Sequence, residues 1–344
     1  MRSVRITLLV AGVALLVVLV VANDPPAILA SIRQLSWRLG VVVGFPAVLV
    51  AILDALGWRF AFAEDRVGVG TLMWARLAGE AFNLTTPTAN VGGEPIKAWL
   101  LRKQVPFSES LPSVIVAKTT ITIAQALFLA VGIVVAWPVL PHDAPLLHGL
   151  SWLLAIEVLA LGAFVAAQMS GTLGSLGTRL AAGRWLGASG HAAALHRVDV
   201  ALGRFYRREP RRLALSVAAH FMAWMLGVVE AYLILQFIGI AVSWRTATII
   251  ESFGTAIKIA TFLVPASVGV LEGGFVAVFA ALGLSASTGI SFSLIRRARE
   301  IAWVGVGLIA FSASGARGAP SSAPPAAGSP GPTVGKDRTR HGVL

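Results

Sequence analysis

Two stretches of this chain carry residue types that an apolar sequence has little ordinary use for. Pro87, Gly92, Gly93 and Glu94 fall within "PTANVGGEPIKAW", and Pro265, Gly269 and Glu272 within "PASVGVLEGG". Sliding the chain by 178 residues lays Pro87 on Pro265, Glu94 on Glu272, and the cation Lys118 on the cation Arg296. Carboxylates at helix starts and cations a span away could hold each other, or could hold a charged ligand, Arg gripping phosphate oxygens in a two-pronged fork. Proline lacks an N–H and glycine tolerates positive φ, so each stretch predicts a helix that breaks at membrane depth and reverses, with Gly273 and Gly274 adding flexibility to the second. Glu94 before Pro95 predicts the start of the next half-helix, its carboxylate at the positive end of the dipole. Two roles are open: the acids only cap half-helices while Lys118 and Arg296 neutralise them, or the whole set, with Arg297 and Arg299 nearby, lines a binding site. A charge near the centre of a spanning helix costs roughly 2.5 to 3.5 kcal/mol, which favours the second role.

The elements that must position these residues follow from composition. The 344 residues are 56% hydrophobic and only 13% charged, with a mean hydropathy of +0.80. Charged residues make up about 25% of an ordinary soluble domain, so the fold class is an all-α, polytopic membrane protein. With no cysteine, disulfides, thiol chemistry and Cys-ligated metals are excluded. The net charge of +12 sits in short gaps between apolar runs, a pattern of membrane orientation and not of nucleic-acid binding.

Six full spans are expected at 6–22, 39–58, 111–137, 149–169, 213–239 and about 288–313, the first retained and not cleaved as a signal peptide. The gap 138–148 has no Lys or Arg and reads as external; 170–212 holds eight arginines and reads as a basic cytoplasmic loop. Both assignments hold if 68–101 and 246–284 are re-entrant hairpins; the alternative makes one arm of each a full span. Repeat 1 (about 39–137) and repeat 2 (about 213–313) then form an inverted repeat inside a membrane domain of residues 1–313. Residues 314–344, rich in Pro, Gly, Ala and Ser, read as a disordered cytoplasmic tail. Both termini are expected in the cytoplasm of a bacterial inner-membrane protein.

Within the basic loop Leu195, Val198, Leu202 and Phe205 recur at helical spacing, reading either as a helix in the headgroup plane or as a solvated connector. Asp54, Glu157, Glu230, Glu251 and Lys258 lie in or near apolar segments and line the same cavity or sit at interfaces. Asn83, Gln125 and Tyr232 read as interhelical hydrogen-bond formers, and His220 as structural. "GTLGSLG" at 171–177 reads as a loop.

"FNLTTPTANVGGEPIKAWLLRK" (Phe82 to Lys103) and "VPASVGVLEGGFVAVFAALGLS" (Val264 to Ser285), followed by Arg296, resemble the flippase-like family that includes the transmembrane region of lysylphosphatidylglycerol synthases (UPF0104-type). The resemblance spans about 39–313. "GWRFAF" at 57–62 and "PTANVGGEPIKAWLL" are similar to its hopanoid-biosynthesis-associated branch. It implies movement of a lipid, a hopanoid or a phospholipid, between leaflets, with Pro87, Gly92, Gly93, Glu94, Pro265, Gly269, Glu272 and Arg296 as the matching positions. Synthases of the family carry a soluble aminoacyl-transfer domain after the membrane region; here the tail follows, so aminoacylation is not expected.

The expectation is a lipid translocase, not an enzyme, with no cofactor or metal, membrane lipids as its partners and its oligomeric state open. Substrate would be bound by Pro87, Gly92, Gly93, Glu94, Lys118, Pro265, Gly269, Glu272 and Arg296. The alternatives are a membrane-embedded lipid-modifying enzyme subunit, for which no G-x-S-x-G, H-E-x-x-H or Walker A motif is present, and a scaffold acting through 170–212.

Overall fold

The computed structural model describes residues 2–85, 92–170, 188–262 and 264–316; Pro87, "GTLGSLG" and the tail beyond 316 lie outside the described residues. Within them every element is helical. α1 (Arg2–Ala22) turns through 96° into α2 (Pro25–Leu35). Asp24 makes that corner: its φ is 54°, its side chain accepts the Ala27 N–H at 3.2 Å, and the two prolines behind it occupy first-turn positions where no N–H is missed. The expected spans leave 25–35 without a helix, although Asp-Pro-Pro is a helix-start signal.

α3 (Arg38–Phe60), α4 (Val69–Thr85), α5 (Gly93–Leu100) and α6 (Phe107–Ala136) follow, then α7 (Pro145–Ser170) and α8 (Ala188–Arg208). The chain closes with α9 (Pro210–Phe237), α10 (Trp244–Ala260), a 3-10 turn at Pro265–Ser267, α11 (Val270–Ala281) and α12 (Ala286–Ala316). Each of the six expected spans is a helix, but α3, α6, α7 and α9 are the ones long and apolar enough to cross a membrane, with the bent α1–α2 pair as a fifth. α12 has the length; Arg296, Arg297, Arg299 and Glu300 interrupt its apolar run.

At the 178-residue offset α3 falls on α9, α4 on α10, α5 on α11 and α6 on α12, each within a few residues. The packing follows the same exchange. α3 lies against α9, while α4 packs on α12 as α10 packs on α6. The correspondence reaches outside the expected repeat bounds, since α2 packs on α12 as α8 packs on α6. Small residues permit the two matched crossings: a side chain at Gly132 of α6 would overlap Ser252 of α10, and one at Gly307 of α12 would overlap the Leu77 carbonyl of α4.

α8 is a helix, as its periodicity predicts, but it does not lay its apolar face in the headgroups. Val198, Leu202 and Phe205 are buried with Trp58, Leu72 and Leu101 in the core formed at one end of the first half; the side chain of Leu195 lies outside the described residues. The arginines of α8 at 197, 204, 207 and 208 stay exposed on its other side. A short loop after α3 is pinned beneath it. Arg212 donates from Nε to the Phe62 carbonyl at 2.6 Å and from Nη2 to the Arg59 carbonyl at 3.1 Å, satisfying groups at the end of α3, and pairs with Asp65. Its hydrogen bond, helped by Arg59, holds the Asp65 carboxyl below its ordinary value.

Candidate functional site

Gly93 of the first hairpin is there for contact, and Gly92 has an ordinary helical φ. Gly92 has φ −64°, and Gly93 opens α5 with its Cα against Gly79 of α4, so close that a Cβ would overlap the Gly79 carbonyl oxygen. The Gly93 N–H donates to Asn83 Oδ1 at 2.7 Å, which makes Asn83 the link between the arms. In the second hairpin the left-handed residues are Ala266 (φ 52°), Ser267 (φ 50°) and Gly269 (φ 77°), directly after Pro265. Gly273 and Gly274, read as sources of flexibility, are ordinary helical residues of α11; Gly274 leaves room for Ile257.

With the arms closed, the first half gathers a charge network that is buried around Asp54, Glu94 and Lys97 and opens at Glu80 and Lys118. Glu94 Oε1 lies 3.1 Å from Lys97 Nζ, 3.6 Å from Lys118 Nζ and 3.3 Å from the donating Asn83 Nδ2. Lys97 also donates to Glu80 Oε1 at 2.7 Å. Beside it Asp54, 3% exposed, pairs with Arg76 at 2.5 Å and with His220 Nδ1 at 2.8 Å. His220, read as structural, therefore ties α9 to α3 and α4 through a carboxylate, and its Nε2 is buried with no partner among the described residues. Three acids (Asp54, Glu80, Glu94) meet three bases (Arg76, Lys97, Lys118), so the network is neutral with the histidine uncharged. That neutrality is what makes it tolerable in a low-dielectric setting, where a lone charge is far costlier than a hydrogen-bonded pair.

The second half builds a network of its own with different partners. Glu272, fully buried, accepts the Gly269 N–H at 2.7 Å and Ser293 Oγ at 3.3 Å, so it caps α11. Its cation is Arg297, whose Nε donates at 2.9 Å, and not Arg296, which the repeat offset pairs with it. Arg296 turns instead to Glu251, donating from Nη2 at 3.0 Å and from Nη1, with Glu230 at 3.8 Å. Arg299 meets Glu230 at 2.9 Å and Lys258 meets Glu300. Four acids balance four bases.

The cations that the repeat lays on each other differ in access: Arg296 has a side chain 12% exposed and Lys118 one 44% exposed. In the second network the exposed base is Lys258, at 43%, and it is paired with Glu300. Lys118 lines both a polar pocket of about 40 Å³, walled by Asp54, Arg76, Glu80, Glu94, Lys97 and His220, and a larger groove of about 410 Å³ between α6 and α7. The groove is walled mostly by apolar side chains, among them Ile156, Phe164 and Ile259, with Glu157 facing it from α7. Ile156 is 60% exposed and Phe164 42%, so the groove opens to the outside of the bundle. Its end toward α8 is tied shut: Tyr206 donates to Gln168 Oε1 at 2.8 Å, and Gln168 donates to Thr119 of the groove wall at 3.3 Å. No residue of the second network lines either space.

Of the residues singled out by sequence, Gly92, Gly93, Glu94 and Lys118 come together, and Gly269 joins Glu272; Arg296 stands apart from that pair. Arg76, Glu80 and Lys97 went unrecognised, although three charges in apolar α4 and α5, at four-residue and hairpin spacing, were a usable signal. Among the described residues no cluster of His, Cys, Asp and Glu is arranged to hold a metal ion.

Over 308 residues the chain is 27% identical to a UPF0104 membrane protein of Methanothermobacter thermautotrophicus, an alignment covering 84% of this chain and 89% of that protein. No solved structure matches it. Residues 5–308, nearly all of the described chain, match the family described as the lysylphosphatidylglycerol synthase TM region, and the chain belongs to that family.

Proposed function

We propose that this membrane protein binds a lipid from the surrounding bilayer and passes it between leaflets, without altering it covalently. The observation that carries the reading is the shared position of Lys118. One side of it faces a groove of about 410 Å³ that is apolar and open outward, fit for hydrocarbon; the other faces a buried charged network, fit for a polar head. A lipid lying along α6 and α7 would put its chains against Ile156 and Phe164 and its head at Lys118. The two halves, matched element by element, enter the membrane from opposite faces as an inverted repeat, and exchange of their packing moves the head from one side to the other. On this reading the basic loop holding α8 faces the cytoplasm of a bacterial inner membrane, with both termini on the same side. A phospholipid suits the charged end of the groove better than a hopanoid, whose weakly polar head has no need of Lys118.

The test is reconstitution. Vesicles holding the purified chain and a trace of head-labelled phospholipid are treated with a membrane-impermeant quencher. Transport moves label from the protected inner leaflet to the quenched outer one, and Lys118→Met slows it. Identical quenching in protein-containing and empty vesicles overturns the proposal.

A further inference from the structure

The charge count around the groove restricts which head group it takes, an inference that rests on the lipid-binding reading above. The first network is neutral before Glu157 is counted. Glu157 stands on α7, facing the groove that Lys118 enters from α6, and its Oε2 is buried with no hydrogen-bond partner among the described residues. The other acids of both networks, Asp54, Glu80, Glu94, Glu230, Glu251, Glu272 and Glu300, are each in an ion pair. Lys118 is held only at 3.6 Å from Glu94, an ion pair too long for a hydrogen bond, and is the most exposed base of its network. The groove thus offers one loosely held ammonium and one unsatisfied carboxylate, and with Glu157 ionised its surroundings hold four acids against three bases.

We infer that the α6–α7 groove selects a zwitterionic amphiphile, one whose head carries both an anionic oxygen group and an ammonium. The anionic oxygens take Lys118, and the ammonium donates to Glu157. A purely anionic head satisfies Lys118 but meets an excess of acid and leaves Glu157 with no donor, so it forfeits a charge-assisted hydrogen bond and gains a repulsion. A head with neither charge satisfies neither residue. Selectivity thus arises from an unpaired group that only one ligand class completes, the same logic by which a buried polar group rejects an analogue lacking its partner.

The absence of cysteine makes the test direct, because Ile156→Cys supplies a unique thiol on the groove wall for an environment-sensitive fluorophore. Short-chain phosphatidylethanolamine, phosphatidylglycerol and diacylglycerol with identical chains are titrated against the labelled whole chain in detergent. The ethanolamine lipid is expected to bind about tenfold tighter than the glycerol lipid, the worth of one charge-assisted hydrogen bond. Glu157→Gln, which keeps the shape, should abolish that ratio, and Lys118→Met should weaken both phospholipids. Equal or tighter binding of phosphatidylglycerol, equal binding of diacylglycerol, or a ratio unchanged in Glu157→Gln overturns the inference. Movement of an anionic lipid in vesicles at the rate of a zwitterionic one removes the head-group selection and leaves transport standing. Selective binding with no movement of any lipid does the reverse.

Discussion

Asp54 offers the sharpest test of whether the first network is as dry as its geometry implies. The carboxylate is 3% exposed and serves two partners, Arg76 at 2.5 Å and His220 at 2.8 Å. Asp54→Asn keeps the volume and removes the charge, leaving a guanidinium 16% exposed beside a carboxylate, Glu80, that Lys97 already holds. Removing one partner of a buried pair costs about 3 to 5 kcal/mol, because the remaining charge has no solvent to return to. Against a total stability of roughly 5 to 15 kcal/mol that is a large share, and the variant should unfold at a much lower temperature. Replacing both partners, Asp54→Leu with Arg76→Met, removes the orphaned charge and should recover most of the loss. The measurement is a double-mutant cycle by thermal or denaturant unfolding in detergent, followed by tryptophan fluorescence. If Asp54→Asn lies within about 0.5 kcal/mol of the parent, or if the two single changes simply add, the pair is hydrated and weakly coupled, and the low-dielectric argument is wrong.

Three further outcomes follow from the geometry. Gly93→Ala puts a methyl group into the Gly79 carbonyl, backbone against backbone, and should prevent α5 from closing on α4, seen as lost folded yield; Gly44→Ala, with open space around it, should be silent in the same expression test. Gly57→Ala brings a Cβ to 2.5 Å from His220 Nε2, so the ring must move off Asp54, and the variant should lose about as much stability as His220→Ala, with little added loss when the two are combined. The Asp65–Arg212 clamp predicts an acid-side effect: the folded carboxyl lies below its unfolded value of about 3.9, so its contribution is complete above that pH and disappears as pH falls through the depressed value. Acid unfolding curves of the parent and Asp65→Asn should therefore converge toward the acid end, more so in low salt, since Asp65 is 42% exposed.

The sequence announced what periodicity and rare residue types can announce. Long apolar runs made α3, α6, α7 and α9 legible as spans, and Glu94, Pro265 and Glu272 marked the starts of the half-helices and the second break. Partners were not legible, because they belong to packing. One residue step on a helix turns a side chain by about 100°, so the 178-residue offset could identify a cation near Glu272 but not decide between Arg296 and Arg297. Spacing alone likewise showed that α8 has an apolar face without showing that Trp58 and Leu101, rather than lipid, cover it. Glycines beside a proline suggest a turn; at Gly93 and Gly274 the need is for close approach. Nothing in one sequence places Asp54, 166 residues earlier, against the ring of His220.

Matching the two halves also locates where they stop matching. Lys118 and Arg296 hold equivalent places in the offset, yet one has a single ion pair at 3.6 Å and nearly half its side chain exposed, while the other is gripped by Glu251 and flanked by Glu230. The helices outside the matched core differ in the same sense. α1 packs on α11 and the 3-10 turn, covering the second hairpin, whereas α7 leans on α6, α8 and α10 and has only 6% of its apolar stretch buried, against 33–44% for the other long apolar helices. Lys118 is held by one long contact, whereas freeing Arg296 demands breaking a two-pronged pair with Glu251. In the conformation described, therefore, the cation open to the groove belongs to the first half, and its counterpart Arg296 is held in ion pairs; on the proposed transport, those pairs would have to change partners before the two halves could exchange roles.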